Sequence, residues 1–197
     1  MVKTRLLTRR LVLACFALLS GIVAAQEKQG TLIFSPDKSS VQFALGATMH
    51  TVEGSFALRS GVVHFTPATN AINGEIIVDS TTGQTGNDRR DKKMHQEVLE
   101  SGRYPQILFR PERVDGHIAT EGVSTVQLHG KFSIHGVEQE VDVPAKVELA
   151  GDHWSVDVRF EIPFVNWGMK DPSSFLLHVQ KNVTIDFHAS GSNPWQR

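Results

Sequence analysis

Residues 126–149 read VQLHGKFSIHGVEQEVDVPAKVEL, and their period decides the fold. Val126, Leu128, Phe132 and Ile134 share one parity, and Gln127, His129, Lys131 and Ser133 share the other. In an extended chain successive side chains point to opposite faces, so this is a strand with one oily and one polar side. Val141, Val143, Ala145, Val147 and Leu149 repeat the pattern against Glu140, Asp142, Lys146 and Glu148. His135-Gly136 lies between the two runs, and glycine takes the positive φ that a two-residue hairpin turn requires. With those two at the centre of the turn, Ile134 pairs with Val137, Leu128 with Val143 and Val126 with Ala145. An odd loop without a bulge would scatter the apolar residues over both faces.

Working outward, the same period recurs. Thr31–Ser35 and Ser40–Leu45 read as strands, the second carrying Val41, Phe43 and Leu45 on one face. His50–Arg59 follows, with Val52, Phe56 and Leu58 in phase, and Ser60-Gly61 reads as a turn into Val62–Thr66. Asn70–Gly74 opens a run in which Ile72, Ile76 and Val78 agree. Gln106–Val114 resumes the strands, and Asp115-Gly116 turns the chain into His117–Thr120. His153–Phe164 alternates throughout, with Trp154, Val156, Val158, Phe160, Ile162 and Phe164 on one face. Lys181–Ala189, with Val183, Ile185 and Phe187, is the last strand. Only Ser80–Gly102 departs. It holds NDRRDKKMHQEVLES, a charged helix capped by Asn87 or Asp88 and stopped by Gly102, with a narrow stripe of Met94, Val98 and Leu99. Many short strands, tight turns and one helix across an end predict an all-β fold, an antiparallel up-and-down barrel of about eight strands.

The first 25 residues read as a secretory signal peptide. Lys3, Arg5, Arg9 and Arg10 precede the apolar run Leu11–Ala24, and Val23-Ala24-Ala25 offers small residues for cleavage before Gln26. Residues 26–197 then form a single barrel domain. The lone cysteine, Cys15, falls in the leader, so export does not bring a disulfide framework, and a bacterial envelope compartment, periplasmic or secreted, fits best. The leader also holds four of the 20 basic residues and none of the 21 acidic ones, which leaves the remainder at −5. That balance argues against nucleic acid or an anionic membrane as the main partner.

Alternation does not say which face is inside. An outer-membrane barrel turns its apolar residues to lipid, but it carries aromatic girdles, and this chain has one tyrosine, Tyr104. A barrel that does not span a membrane, charged outside, is the simpler reading. Its inward set is Val41, Phe43, Leu45, Phe56, Ile76, Phe109, Phe132, Trp154, Phe160, Phe164 and Phe187, with Arg90, Met94 and Trp167 at the mouth. Such an interior is either packed solid or holds one apolar ligand. A chain of some 20 buried methylenes would gain about 16 kcal/mol gross at roughly 0.8 each, before the costs of binding. The nine histidines form no HxH or HExxH spacing, so no metal or cofactor site is expected, and no GxSxG, P-loop or GxGxxG is present. His129, His153 and His188 fall on the outward parity. The run Arg89–Lys93 reads as a solvated helix face, with contact to an acidic head group as the alternative. Chemistry at the mouth would fall to Arg90, Asp91 and His95. Self-association into a homodimer is left open.

Several segments together, SSVQF, His50 leading into VEGSF, SGVVHF, VDS, TGNDRRD, YPQILFRPERV, GKFSIHGVEQEVDVPAKV and VTIDF, resemble the YceI-like family of secreted lipocalin-like proteins. The resemblance covers roughly Thr31–Ser190, and the SIHGV turn is its most specific piece. It implies a lipocalin-like barrel around an elongated apolar pocket, periplasmic binding of polyisoprenoid, isoprenoid quinone or similar long-chain lipids, and no catalytic residue. An envelope interaction or stress protein with a packed barrel is the alternative. The chain departs from the family at Lys93-Met94 and Val98-Leu99, where a histidine with an aliphatic residue and then an aromatic pair are usual.

Overall fold

The computed structural model describes residues 28–175 and 177–196; the expected leader lies outside them. The strands are β1 (Gly30–Phe34), β2 (Ser39–Gly46), β3 (Thr51–Thr66), β4 (Ala71–Gln84), β5 (Gln106–Asp115), β6 (Gly122–Ile134), β7 (Val137–Ala150), β8 (His153–Ile162) and β9 (Val183–Ser192). From β2 to β9 each strand pairs antiparallel with its successor, and β9 returns to β2, closing an eight-stranded up-and-down barrel. Closure pairs the eight barrel strands with one another and leaves β1 as the strand bonded on one side only. The ninth strand, β1, lies beside the second half of β3, with Phe34 opposite Gly61, while β2 covers the first half. A turn of 3₁₀ helix at Pro36–Lys38 separates the two, so one stave of the barrel is broken in the middle.

The hairpin of β6 and β7 has the register its sequence predicts: Ile134 faces Val137, Leu128 faces Val143, and Val126 faces Ala145. His135 and Gly136 sit at φ 53° and 74°, the paired positive values of a primed turn. A methyl group on Gly136 would stand 2.5 Å from the Tyr104 ring. Gly136→Ala is therefore expected to cost about 1–2 kcal/mol, from left-handed strain alone and more if the ring cannot move. Chemical denaturation of the pair of proteins reads this directly.

Four sequence expectations are corrected. Ser60-Gly61 is not a turn: β3 runs unbroken for 16 residues, with a register shift between Leu58 and Ser60. The shift changes which parity faces in, so Leu58 is buried before it and Val63 and Phe65 after it. A bulge and a turn share small residues, and only the pairing partner distinguishes them. β4 does not stop before Ser80 but continues to Gln84, and the Thr82 hydroxyl accepts from the Ala57 amide across a second irregularity. His117–Thr120 is loop rather than strand, with the Ala119 amide bonded to Ser124 Oγ. β8 ends at Ile162, and Phe164 lies beyond it, buried by the turn after Pro163.

The helix α1 (Asp88–Lys93) begins as expected: Asn87 Oδ1 accepts from the Arg90 amide at 3.0 Å. It continues as a wider π-type turn over Met94–Val98, closed by Leu99 N to Met94 O at 2.9 Å. Gly102 does not stop it. The residue with left-handed φ is Glu100, at 45°.

The outer face carries charge in cross-strand pairs. Arg159 holds Asp186 at 3.0 Å on the neighbouring strand, and His188 meets Asp157. His129 lies between Asp142 and Asp115, the latter at 2.8 Å. These exposed pairs each contribute little, about 0–1 kcal/mol. The placement of the expected outward histidines follows the parity.

Candidate functional site: an apolar cavity with a polar mouth

The inward side chains do not fill the barrel. They enclose a cavity of about 540 Å³, within the roughly 300–1,000 Å³ of ligand sites. All eleven side chains expected to face inward stand on its wall, as do Arg90 and Met94 of the expected mouth. Trp167 does not. It stands behind the wall, its ring 5.9 Å from that of Phe132.

Aromatic rings are spaced along the lumen. Phe43 meets Phe56 at 5.3 Å, Phe34 meets Trp154 at 5.0 Å, and Phe132 meets Phe160 edge-on at 5.7 Å. Gly54 is what admits the first pair: a methyl there would lie 2.3 Å from the Phe43 ring. The far end is closed by a second cluster built on Phe65, Val114, Val126 and Ala145, with Ile118 and Trp195 packed on it. Trp195 stands edge-on to Phe65 at 5.9 Å. The tail that carries it is tied down by Asn193 N to Asp152 O at 2.7 Å and by Lys28 Nζ to Trp195 O at 2.7 Å. This floor was illegible in sequence, because 193–196 shows no period.

The other end is polar. His50, Thr85, Asn87, Arg89, Arg90 and Lys93 reach the cavity there, beside Pro172, Leu177 and Val179. The run Arg89–Lys93 is thus divided: Lys92 stays exposed at the helix surface, while Arg89, Arg90 and Lys93 border the lumen. Arg90 is fixed by its own loop. Its Nε donates to Thr85 Oγ1 at 2.7 Å and its Nη2 to Thr85 O at 2.9 Å, while the Thr85 hydroxyl donates to Asp91. His95 is off the wall, its Nε2 donating to Gly83 O at 2.8 Å and its Nδ1 meeting Ser101 Oγ at 2.9 Å. Arg90 and Asp91 thus meet on Thr85 and His95 on Gly83 and Ser101, and of the three only Arg90 borders the cavity. Among the described residues no group of three or more His, Cys, Asp or Glu could hold a metal ion. No helix among them is long and apolar enough to cross a membrane.

A long loop, 163–182, frames the mouth beside α1. Lys93 Nζ donates to Pro172 O at 2.9 Å, and Lys170 Nζ bonds Glu97 at 2.6 Å. The Lys170 ammonium holds the Glu97 carboxyl below its usual range. Thr48 N donates to His178 O at 3.0 Å, and Gln180 N to Gly46 O at 2.8 Å. The Ser173 hydroxyl and amide hold the Asp171 carboxyl below its ordinary 3.8, helped by Lys181 and His178. A depressed carboxyl contributes stability above its unfolded value and loses it as pH falls through the folded one. The Ser173 amide resonance is therefore expected to shift with a midpoint below 3.8. A titration step between pH 4 and pH 6 would contradict the bond.

The match to known families rests on the whole barrel. The model of the YceI-like domain matches residues 33–190. The chain belongs to the YceI-like family. Among solved structures, a polyisoprenoid binding domain from Saccharophagus degradans, implicated in plant cell wall breakdown, superposes with a TM-score of 0.67. The two are 18% identical, over 85% of this chain and 100% of that one. Burkholderia cenocepacia BcnA gives 0.66 at 19% identity, over 80% of this chain and 99% of BcnA. The Campylobacter jejuni YceI protein gives 0.62 at 16%, over 74% and 87%. At these identities the likeness is one of fold. Among curated proteins none matches the chain. Met94, Val98 and Leu99, the apolar stripe of the helical segment, all line the cavity.

Proposed function

We propose that this YceI-like protein binds and carries a long-chain apolar lipid, a polyisoprenoid, an isoprenoid quinone or a similar molecule, in the bacterial periplasm. The observation that carries the reading is the cavity: its body is walled by aliphatic and aromatic side chains, and its polar residues gather at one end. An extended hydrocarbon satisfies that wall by area burial alone, at about 25 cal/mol per Å². Its polar end would then lie among Arg89, Arg90 and Lys93, where water and donors are available. The family and the polyisoprenoid-binding neighbour support binding rather than catalysis. The expected signal peptide supports the compartment.

The packed-barrel alternative requires an interior near zero volume, and about 540 Å³ argues against it. The test is uptake of a polyprenol by delipidated protein, followed through the fluorescence of Trp154 and Trp195, which line the cavity. Saturable quenching at one chain per protein, with Kd in the micromolar range or below, is expected. No quenching by protein shown to be empty and folded would refute the carrier reading.

A further inference from the structure

The mouth has a second property that lipid binding in the lumen does not use. Of the large apolar side chains exposed among the described residues, the two most exposed are Phe175 at 95% and Met49 at 91%. Both stand at the mouth end. Met49 is at the tip of the turn between β2 and β3, closed by Ala47 N to His50 O at 2.9 Å. Phe175 is at the tip of the long loop, in a turn closed by Ser174 N to Leu177 O at 2.8 Å. The two tips are tied together by the bridge of Ala47 to Val179 and by the Thr48–His178 bonds, so they form one platform. Leu177, from the same turn, is 39% exposed and also lines the cavity, joining the platform to the lumen.

Cations surround this platform. Arg89, Lys92, Lys170 and Lys181 are all exposed on the segments that frame the mouth. The acids at this end are Asp88, Asp91, Glu97 and Asp171, with Glu97 paired to Lys170, so the six cations Arg89, Arg90, Lys92, Lys93, Lys170 and Lys181 outnumber them. An exposed apolar tip flanked by lysine and arginine is the pattern that seats a protein in the interface of an anionic bilayer. The chain's overall negative charge speaks against an anionic membrane only if charge is spread evenly, and at this end it is not.

We propose that the mouth end docks on an anionic lipid surface, with Met49 and Phe175 inserted among the acyl chains. Docked so, the cavity opens onto the hydrocarbon layer, and an apolar chain passes between bilayer and lumen without crossing water. The purpose of the docking rests on the carrier reading; the docking itself is measured without it.

The experiment has two arms. In the first, the protein is sedimented with vesicles of phosphatidylethanolamine and phosphatidylglycerol, and with vesicles of phosphatidylcholine alone. Wild type is expected to partition onto the phosphatidylglycerol vesicles, and Met49→Ser with Phe175→Ser to lower the partition coefficient at least roughly tenfold, from the apolar burial lost. Lys92→Glu with Lys181→Glu is expected to lower it on phosphatidylglycerol only. Val123→Ser, exposed at the opposite end, is expected to change nothing. In the second arm, each variant takes up polyprenol from detergent micelles, where no bilayer is needed. Uptake unchanged from wild type in Met49→Ser/Phe175→Ser confirms that it is folded and that only docking is lost. Vesicle binding indifferent to Met49 and Phe175 overturns the docking proposal even where micellar uptake is normal. Failure of uptake in wild type overturns the carrier reading and leaves the vesicle result to stand by itself.

Discussion

Phe132→Ala is expected to destabilise the barrel by about 3–5 kcal/mol, and Phe160→Ala by distinctly less. Both rings line the cavity, so sequence parity treats them alike. Their backs differ. Phe132 is only 7% exposed and is clamped between the edge of Phe160 and the ring of Trp167, which belongs to the loop framing the mouth. Removing it opens a hole between wall and loop, and it loses two aromatic contacts worth about 0.5–1.5 kcal/mol each beyond area. Phe160 is half-buried and borders space that is already open, so its loss creates less new void. Its truncation is expected to appear in lipid affinity instead. Urea denaturation and polyprenol titration of the two variants give a crossed pattern. Equal stability losses with no change in affinity would mean that the interior is closed to ligand.

Plugging the lumen should have a larger effect on binding. Val156 faces inward on β8 at the level where the two apolar clusters meet, paired with Val147 on one side and Ala189 on the other. Val156→Trp places an indole in the lumen beside the cluster that closes its far end. Overpacking of this kind costs about 1–3 kcal/mol of stability, which a closed barrel can tolerate. Every methylene kept out of the lumen forfeits about 0.8 kcal/mol, so excluding even a few lowers the affinity for a long chain more than tenfold. A short-chain analogue that stops above residue 156 is expected to bind as before. Titrating chains of increasing length against wild type and Val156→Trp measures this. Equal loss for short and long chains would place the ligand elsewhere.

The barrel was legible because period-two alternation survives in nearly every strand, and His135-Gly136 set the central register to the residue. What sequence misplaced were the points where the period slips without a break. Ser60-Gly61 has turn chemistry but lies in a bulge, and whether the chain reverses there depends on β1 and β4, which pair with β3 through that point. The Thr81-Thr82 extension of β4 looked irregular because the Thr82 hydroxyl takes backbone roles, donating to Asp79 O and accepting from Ala57 N. The cavity wall followed from parity. Its two ends did not, because Trp195 at the floor and Leu177 at the mouth come from segments with no repeat, placed by hydrogen bonds to distant strands. Arg90 was legible as a mouth residue from its place in the charged helix across one end, whereas its fixing by Thr85 depends on a loop conformation that no period encodes.

The most direct measurement is of what the protein holds when it leaves the cell. Protein purified without detergent from the cells that make it is extracted with organic solvent, and the extract is analysed by mass spectrometry against the protein's molar amount. A hollow walled by Phe43, Phe56, Phe132 and Phe160 predicts one long-chain, predominantly hydrocarbon molecule per barrel, depleted in Val156→Trp. Extracts empty of such a molecule, from protein that also refuses it when offered, would contradict the account.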